Sequence, residues 1–283
     1  MQIIKSLGRL KQAIRQIKKK GKTIGFVPTM GAFHKGHLSL IRKAREQTDW
    51  VVVSIFINPI QFDRRSDFHS YPRTLAQDAK AAARAGADAI FAPSTGQMYP
   101  PDFQTFVEVD RLSQPWEGRF RPGHFKGVTT VVTKLFHLVQ PDVTYFGQKD
   151  AQQARIVQQL IRDLNFDIRL RILPTIREPD GLAMSSRNKL LSSSARRSSR
   201  ILFEALQEAC QLIQWGERRA SVVVRRMRQI LQKDPKARID YVAIVDPKTL
   251  DPIEKLHGNV QVLVAVWMGP VRLIDNIRCY VPS

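Results

Sequence analysis

The stretch "TIGFVPTMGAFHKGHLSLIRKA" fills residues 23–44. It opens on a short apolar run, "TIGFV", that reads as a β-strand. Pro28 and Gly31 interrupt that run, and "HLSLIRKAREQT" then takes up a helical pattern. A strand feeding a helix through a glycine-containing turn is the repeating unit of an α/β sheet, and the flanking sequence repeats it. Upstream, Leu7, Leu10, Ile14 and Ile17 recur at helical spacing after Ser6, and Gly21 closes that helix. Downstream, "WVVVSIFI" (50–57) is a continuous β-branched and aromatic run, the pattern of a central parallel strand covered on both faces. "TLAQDAKAAARAG" predicts a helix ending at Gly86, and "AIFA" (89–92) another strand. A helix over 127–139, the strand "VTYF" (143–146), a helix over 150–164 and the strand "IRLRIL" (168–173) follow. The alternation predicts an α/β fold with a Rossmann-like, doubly wound parallel sheet over residues 1–175.

The pattern then changes. "PTIREPDGLAMSSRN" (174–188) holds two prolines and a glycine and reads as a linker and loop. Two basic helices, about 195–215 and 220–233, precede strand patterns at "YVAIV" (241–245), "VQVLVAVW" (260–267) and "VRLIDNI" (271–277). Residues 176–283 are therefore expected to form a second, smaller α+β domain, consistent with a 283-residue chain.

Composition excludes several classes. With 43% hydrophobic and 25% charged residues the chain is ordinary globular material. It has no apolar run long enough for a transmembrane helix, and its start lacks the apolar core and cleavage site of a signal peptide. Two cysteines, Cys210 and Cys279, read as reduced thiols of a cytoplasmic protein. The formal net charge of +20 is the unusual feature. Eight Lys/Arg and no acid occupy residues 1–22, and eleven Lys/Arg against four acids occupy 196–238. Both segments read as amphipathic helices with a solvated basic face. Neither carries aromatic interleaving or a nucleic-acid motif, so no nucleic-acid or membrane partner is expected.

In an open parallel sheet, ligands bind beyond the carboxyl ends of the strands. "TIGFV" ends at Pro28, so Thr29–His37 is expected to line such a crevice, with Gly31 and Gly36 allowing close backbone approach. The following helix begins near Gly36, and its first amides and dipole favour phosphate. His34 and His37 can donate hydrogen bonds to phosphate oxygens; standing alone, H-x-G-H would leave open the alternative of two surface or capping histidines. "FGQKD" (146–150) also ends a predicted strand and offers Gly147, Lys149 and Asp150. "AMSSRN" (183–188) offers Ser185, Ser186 and Arg187, hydroxyl and guanidinium donors suited to phosphate.

H-x-G-H with a later serine-and-basic loop resembles the nucleotidyltransferase superfamily that includes class I aminoacyl-tRNA synthetases. The finer blocks "VPTMGAFHKGH", "VSIFINPIQF", "YPRTL", "RPGHFKGV", "KLFHLVQPD", "FGQKDAQQ", "DGLAMSSRN" and "RLIDNI" resemble the pantothenate synthetase (pantoate–β-alanine ligase) family, in its order, from residue 27 to 277. The resemblance implies an ATP site of Met30, Gly31, Ala32, Phe33, His34, Lys35, Gly36, His37, Gly147, Gln148, Lys149, Asp150, Ile176, Met184, Ser185, Ser186 and Arg187. It makes His37 the proton donor and His34, Lys149 and Arg187 further catalytic groups. Gln61 would hold pantoate and β-alanine, and Gln153 pantoate. Gln148 stands where the family commonly has glutamate.

The implied activity joins pantoate to β-alanine through a pantoyl adenylate, with ATP as co-substrate and Mg²⁺ mainly on its phosphates. Asp78 is a candidate for the metal's outer sphere. The family also suggests a homodimer through the larger domain, and the loop "REPDGLAMSSRN", with Pro174 and Pro179 stiffening the connection and Gly181 as pivot, suggests that the small domain is a lid. Two rivals stay open: another H-x-G-H nucleotidyltransferase, which gives Gln61 and Gln153 no task, and a basic RNA-binding module related to class I tRNA synthetases.

Overall fold

The computed structural model describes residues 1–281. Among these residues nine strands are present: β1 (Gln2–Ile4), β2 (Ile24–Thr29), β3 (Trp50–Ile55), β4 (Ala89–Phe91), β5 (Val143–Gly147), β6 (Arg169–Leu173), β7 (Ala237–Val245), β8 (Gly258–Met268) and β9 (Val271–Val281). The longer helices are α1 (Leu7–Lys19), α2 (Lys35–Gln47), α3 (Leu75–Ala85), α4 (His124–Val139), α5 (Ala151–Asp163), α6 (Ile201–Gln214) and α7 (Ala220–Leu231).

The first six strands form one parallel sheet in the order β1-β4-β3-β2-β5-β6. Successive residues of a strand point to opposite faces, so a strand covered on both sides must be apolar throughout. Phe26, Val52 and Phe91 pack on one face with Leu10 and Ile14 of α1, Val132 and Phe136 of α4, and Val157 and Leu160 of α5. Their neighbours Val27, Val51, Val53 and Ile90 pack on the other with Leu40, Ile41 and Ala44 of α2 and Ala79, Ala82 and Ala85 of α3. Each large buried side chain among them contributes about 1.5–3 kcal/mol. Strand order reverses at β2, which lies between β3 and β5. In a doubly wound sheet such a reversal, at the carboxyl end of the strand, is where ligands bind.

The chain divides into two compact units. One comprises Met1–Gly147 with Ile156–Pro174; the other comprises Gln148–Arg155 with the chain from Thr175 onward. The turn after β5 and the first residues of α5 therefore group with the second unit. In that unit β7, β8 and β9 form an antiparallel sheet. Val260, Val262, Val264 and Val266, alternate residues of β8, pack with Leu202, Leu206 and Ile213 of α6 and Val223 and Met227 of α7.

Local differences from the sequence reading are few. Strand β1 has only three residues, too few for a period-2 pattern to declare itself. The helix expected over 195–215 is two, Ser193–Ser198 and α6; the Ser199 hydroxyl bonds back to the Ala195 carbonyl at the break.

The cysteines require a correction. Cys210 of α6 and Cys279 of β9 form a disulfide instead of remaining free thiols. Sixty-nine residues of sequence separate them, so spacing could not reveal the pairing; the packing of α6 on β9 creates it. Thiol titration of the native, unreduced protein is expected to find no reactive thiol among these two. Reduction is expected to lower unfolding free energy by about 2–4 kcal/mol in denaturant titrations; an unchanged midpoint would show the crosslink contributes nothing.

Candidate active site

The β2–α2 turn carries most of the predicted site, and its geometry follows from a few contacts. The chain leaves β2 through Gly31 and Ala32, at φ 87° and 52°. A left-handed backbone suits glycine and strains alanine. The amides of Ala32 and Phe33 donate to the two carboxylate oxygens of Asp78, at 2.9 and 2.8 Å. Thr74 Oγ1 adds a third donor at 3.0 Å. Asp78 is buried, on the first turn of α3. A Cβ on Gly31 would lie 3.0 Å from the same carboxylate, so the turn also needs glycine for space.

His34 is the N-cap of α2: its Nδ1 accepts from the Gly36 amide at 3.1 Å. The His34 amide in turn donates to His37 Nδ1 at 3.4 Å. A capping box made from two histidines is thus built into H-x-G-H. The glycine has a steric reason, since a Cβ on Gly36 would sit 2.8 Å from His34 Cε1. The two rings lie 4.1 Å apart, with Phe33 5.4 Å from His37. Because each Nδ1 accepts, the neutral ring carries its proton on Nε2. Capping therefore selects the tautomer in which both imidazoles present an Nε2–H donor.

Gln61 is buried in the Pro59–Gln61 turn after β3. Its Nε2 lies 3.1 Å from Met30 Sδ, bringing it to the β2–α2 turn. Asn58 Nδ2 donates to Gln61 Oε1 at 3.0 Å and to the Gly127 carbonyl at 2.9 Å, while the Tyr99 hydroxyl donates to Asn58 Oδ1. Burial pushes the Tyr99 phenol well above its ordinary pKa, so it remains a donor. His124 Nδ1 donates to the Gln61 carbonyl at 2.7 Å. A Cβ on Gly127 would strike the Gln61 backbone, so glycine there lets α4 reach this turn. "RPGHFKGV" is therefore the support of Gln61.

In the second unit, Gln148, Lys149 and Asp150 form a single 3₁₀ turn, with Lys149 Nζ 3.6 Å from Asp150 Oδ1. Ile176 and Met184 are paired across a narrow hairpin by a 2.9 Å backbone bond. Ser185 caps the short helix Ser186–Leu190 by accepting from the Arg187 amide. Gln153 lies on the first turn of α5, half-buried. Thus Met30–His37 and Gln61 cluster in one unit. Gln148–Asp150, Gln153, Ile176 and Met184–Arg187 belong to the other.

Asp78 takes a task that sequence did not disclose. Both of its oxygens are engaged by protein donors, and it braces the turn rather than facing outward. Among the described residues no three His, Cys, Asp or Glu side chains gather as a metal cage. A divalent cation here fits as an ion held chiefly by phosphate oxygens. Sequence reasoning also missed Asn58, Tyr99, His124 and Gly127; Asn58 lies in "VSIFINPIQF" and His124 and Gly127 in "RPGHFKGV", while no quoted block contains Tyr99.

A doubly wound sheet with paired imidazoles at the helix following its switch-point strand is an arrangement suited to a nucleotide's phosphates. The chain belongs to the pantoate-beta-alanine ligase family, which it matches over residues 2–278. It is 50% identical over 277 residues to the pantothenate synthetase of Moorella thermoacetica, covering 98% of each chain. To that of Thermotoga petrophila it is 51% identical, over 98% of this chain and 99% of the relative. The crystal structure of pantothenate synthetase from Thermus thermophilus superposes with a TM-score of 0.94 at 42% identity, over 99% and 100% of the two chains. Pantoate-beta-alanine ligase from Francisella tularensis, complexed with beta-gamma ATP and beta-alanine, gives 0.81 at 34% identity, over 98% and 97%.

The brace and the cap make separable predictions. Asp78→Ala leaves two inward amides without an acceptor and is expected to cost about 2–4 kcal/mol of stability along with activity. Gly36→Ala is expected to displace the His34 ring and lower activity about 10²-fold in a folded protein. Calorimetry and steady-state rates distinguish them: equal stability loss in both variants would remove the distinction.

Proposed function

We propose that this chain performs the ATP-dependent condensation of (R)-pantoate with β-alanine, giving pantothenate, AMP and pyrophosphate. The observation that carries the residue assignment is the histidine capping box, which fixes two Nε2–H donors side by side at the start of α2. In the first step the pantoate carboxylate attacks the α-phosphorus and the bond to pyrophosphate breaks. Negative charge grows on the phosphate oxygens, and donors held in place beforehand stabilise it without reorganisation. His34 and His37 supply two, with His37 giving its proton toward the leaving group; Lys149, Ser185, Ser186 and Arg187 supply the rest. Mg²⁺ travelling with ATP neutralises part of the phosphate charge. In the second step the β-alanine amine attacks the acyl carbon of the mixed anhydride, the acyl–oxygen bond to AMP breaks, and the amine loses its proton.

Gln61 and Gln153 bind pantoate, whose hydroxyls and carboxylate need both donors and acceptors. The Asn58 bond to Gln61 Oε1 orients the amide so that its N–H₂ group is the end presented beside Met30. The phosphate-binding groups are split between two units, so we take the second as a lid that closes on nucleotide and keeps water from the anhydride. The enzyme is further taken to be a homodimer that needs neither membrane nor nucleic acid; its placement in the cytoplasm rests on its biosynthetic activity alone, since the Cys210–Cys279 bond removes the support that reduced thiols would give.

Exchange of labelled pyrophosphate into ATP is expected to require pantoate but not β-alanine. Exchange with amino acids and none with pantoate would sink the assignment. His37→Ala is expected to slow exchange by about 10²–10³, the scale of one lost transition-state donor. Gln61→Ala and Gln153→Ala are expected to weaken pantoate binding by about 1–3 kcal/mol while sparing ATP. Small-angle scattering tests the lid: the radius of gyration is expected to fall with an adenylate analogue, and no change would leave the second unit a fixed wall.

A further inference from the structure

The dipeptide Asp275-Asn276 in β9 is buried, although both side chains are strongly polar. Burial of such groups is costly unless every donor and acceptor is paired. Asn276 meets that condition in full. Its Nδ2 donates to the carbonyls of Gln148 and Lys149, at 2.9 and 2.8 Å. Its Oδ1 accepts from Gln148 Nε2 at 3.2 Å and Gln261 Nε2 at 2.9 Å. Two donors and two acceptor sites are the whole capacity of a carboxamide. Aspartate would lack the donors, and glutamine would be one methylene too long. Gln148 Nε2 also donates to Gln261 Oε1, at 3.2 Å.

Asp275 faces the other loop. Arg177 donates to it twice, Nη1 at 2.6 Å and Nη2 at 3.1 Å, a charge-assisted bidentate pair. The same Nη1 reaches the Gly181 carbonyl at 3.0 Å, and the guanidinium lies 4.1 Å over the Phe203 ring. Arg177 is paired across the hairpin with Ala183, next to Met184 and the Ser185–Arg187 segment. The Asn276 backbone N–H donates to Asp275 Oδ1 at 2.7 Å, so the main chain of β9 helps to hold that carboxylate.

We propose that Asp275 and Asn276 are positioning residues for adenylation: they fasten the Lys149 turn and the 176–187 hairpin to one strand, so that the phosphate-binding groups of the second unit are held as a single piece. This rests on the reading that Lys149 and Arg187 bind phosphate. Neither Asp275 nor Asn276 need touch substrate; each acts through a loop that does. Lys149 depends on Asn276 because two successive carbonyls at its own turn end on one side chain. The hairpin depends on Asp275 because Arg177, on one of its strands, joins that carboxylate to the Gly181 carbonyl in the hairpin's loop.

A double-mutant cycle tests this, with pyrophosphate exchange as the readout. Asn276→Ala is expected to slow exchange about 10²-fold, with the KM for ATP raised and that for pantoate unchanged. In a Lys149→Ala background the same substitution is expected to cost little more. Exchange unchanged in Lys149→Ala would mean that the phosphate reading itself is wrong. Exchange slowed in Lys149→Ala but not in Asn276→Ala, or losses that multiply in the double variant, would overturn the positioning role. Asn276→Ser guards against a variant that does not fold. By amide hydrogen exchange it is expected to loosen residues 148–155 and 176–187 together; loosening of neither, or of one alone, would also overturn it.

Discussion

Two backbone amides, those of Ala32 and Phe33, end on one buried carboxylate, and the shape of the first unit's site depends on that arrangement. A chain leaving the middle of a parallel sheet must turn sharply to enter a helix on its face. The turn here uses left-handed backbone at Gly31 and Ala32, which directs two amides inward where no strand or helix carbonyl can meet them. An unpaired buried amide is expensive, and a charged acceptor with two oxygens answers both at once. Asp78 can serve because α3 packs beside α2 on the same face of the sheet. The turn's path then sets where α2 begins, and with it the two imidazoles. Met30 carries the same path across to Gln61.

The histidine motif joins structure and chemistry in a single set of bonds. A serine or aspartate would cap α2 as well. Histidine caps with one ring nitrogen and keeps a proton on the other, some distance from the helix axis. The cost is space, met by Gly36, and the gain is that each donor's tautomer is set by the backbone rather than by a further side chain. The capping bonds use one nitrogen of each ring, and the phosphate role proposed for H-x-G-H would use the other.

Polar groups in both interiors are organised by amides. Asn58 connects Tyr99, Gln61 and the Gly127 carbonyl; Asn276 connects Gln148, Gln261 and the Lys149 carbonyl. A carboxamide donates and accepts from one rigid plane without adding charge, so it can pin a turn inside the protein at modest desolvation cost. One basic side chain joins this bonding, since Arg278 Nε donates to Gln261 Oε1 at 3.1 Å, while many others are exposed on α1 and α7.

Much of the fold was legible in the residues. Continuous apolar strands such as "WVVVSIFI" can only lie between two helical layers, and their alternation with helices implies a parallel sheet. Strand β1, the break at Ser199 and the Cys210–Cys279 bond were not legible, because three residues carry no period and a disulfide reports which helix packs on which strand. The site divides in the same way. The chain by itself singled out the residues proposed to meet phosphate, since H-x-G-H, "GQKD" and "SSRN" are local and their chemistry travels with them. Only the tertiary structure decided what holds them: Asp78 lies 46 residues from Ala32, and Asn276 lies 127 residues from Lys149. Hydrogen bonds across such separations exist only after the hydrophobic layers have brought their elements together, and no local pattern encodes them.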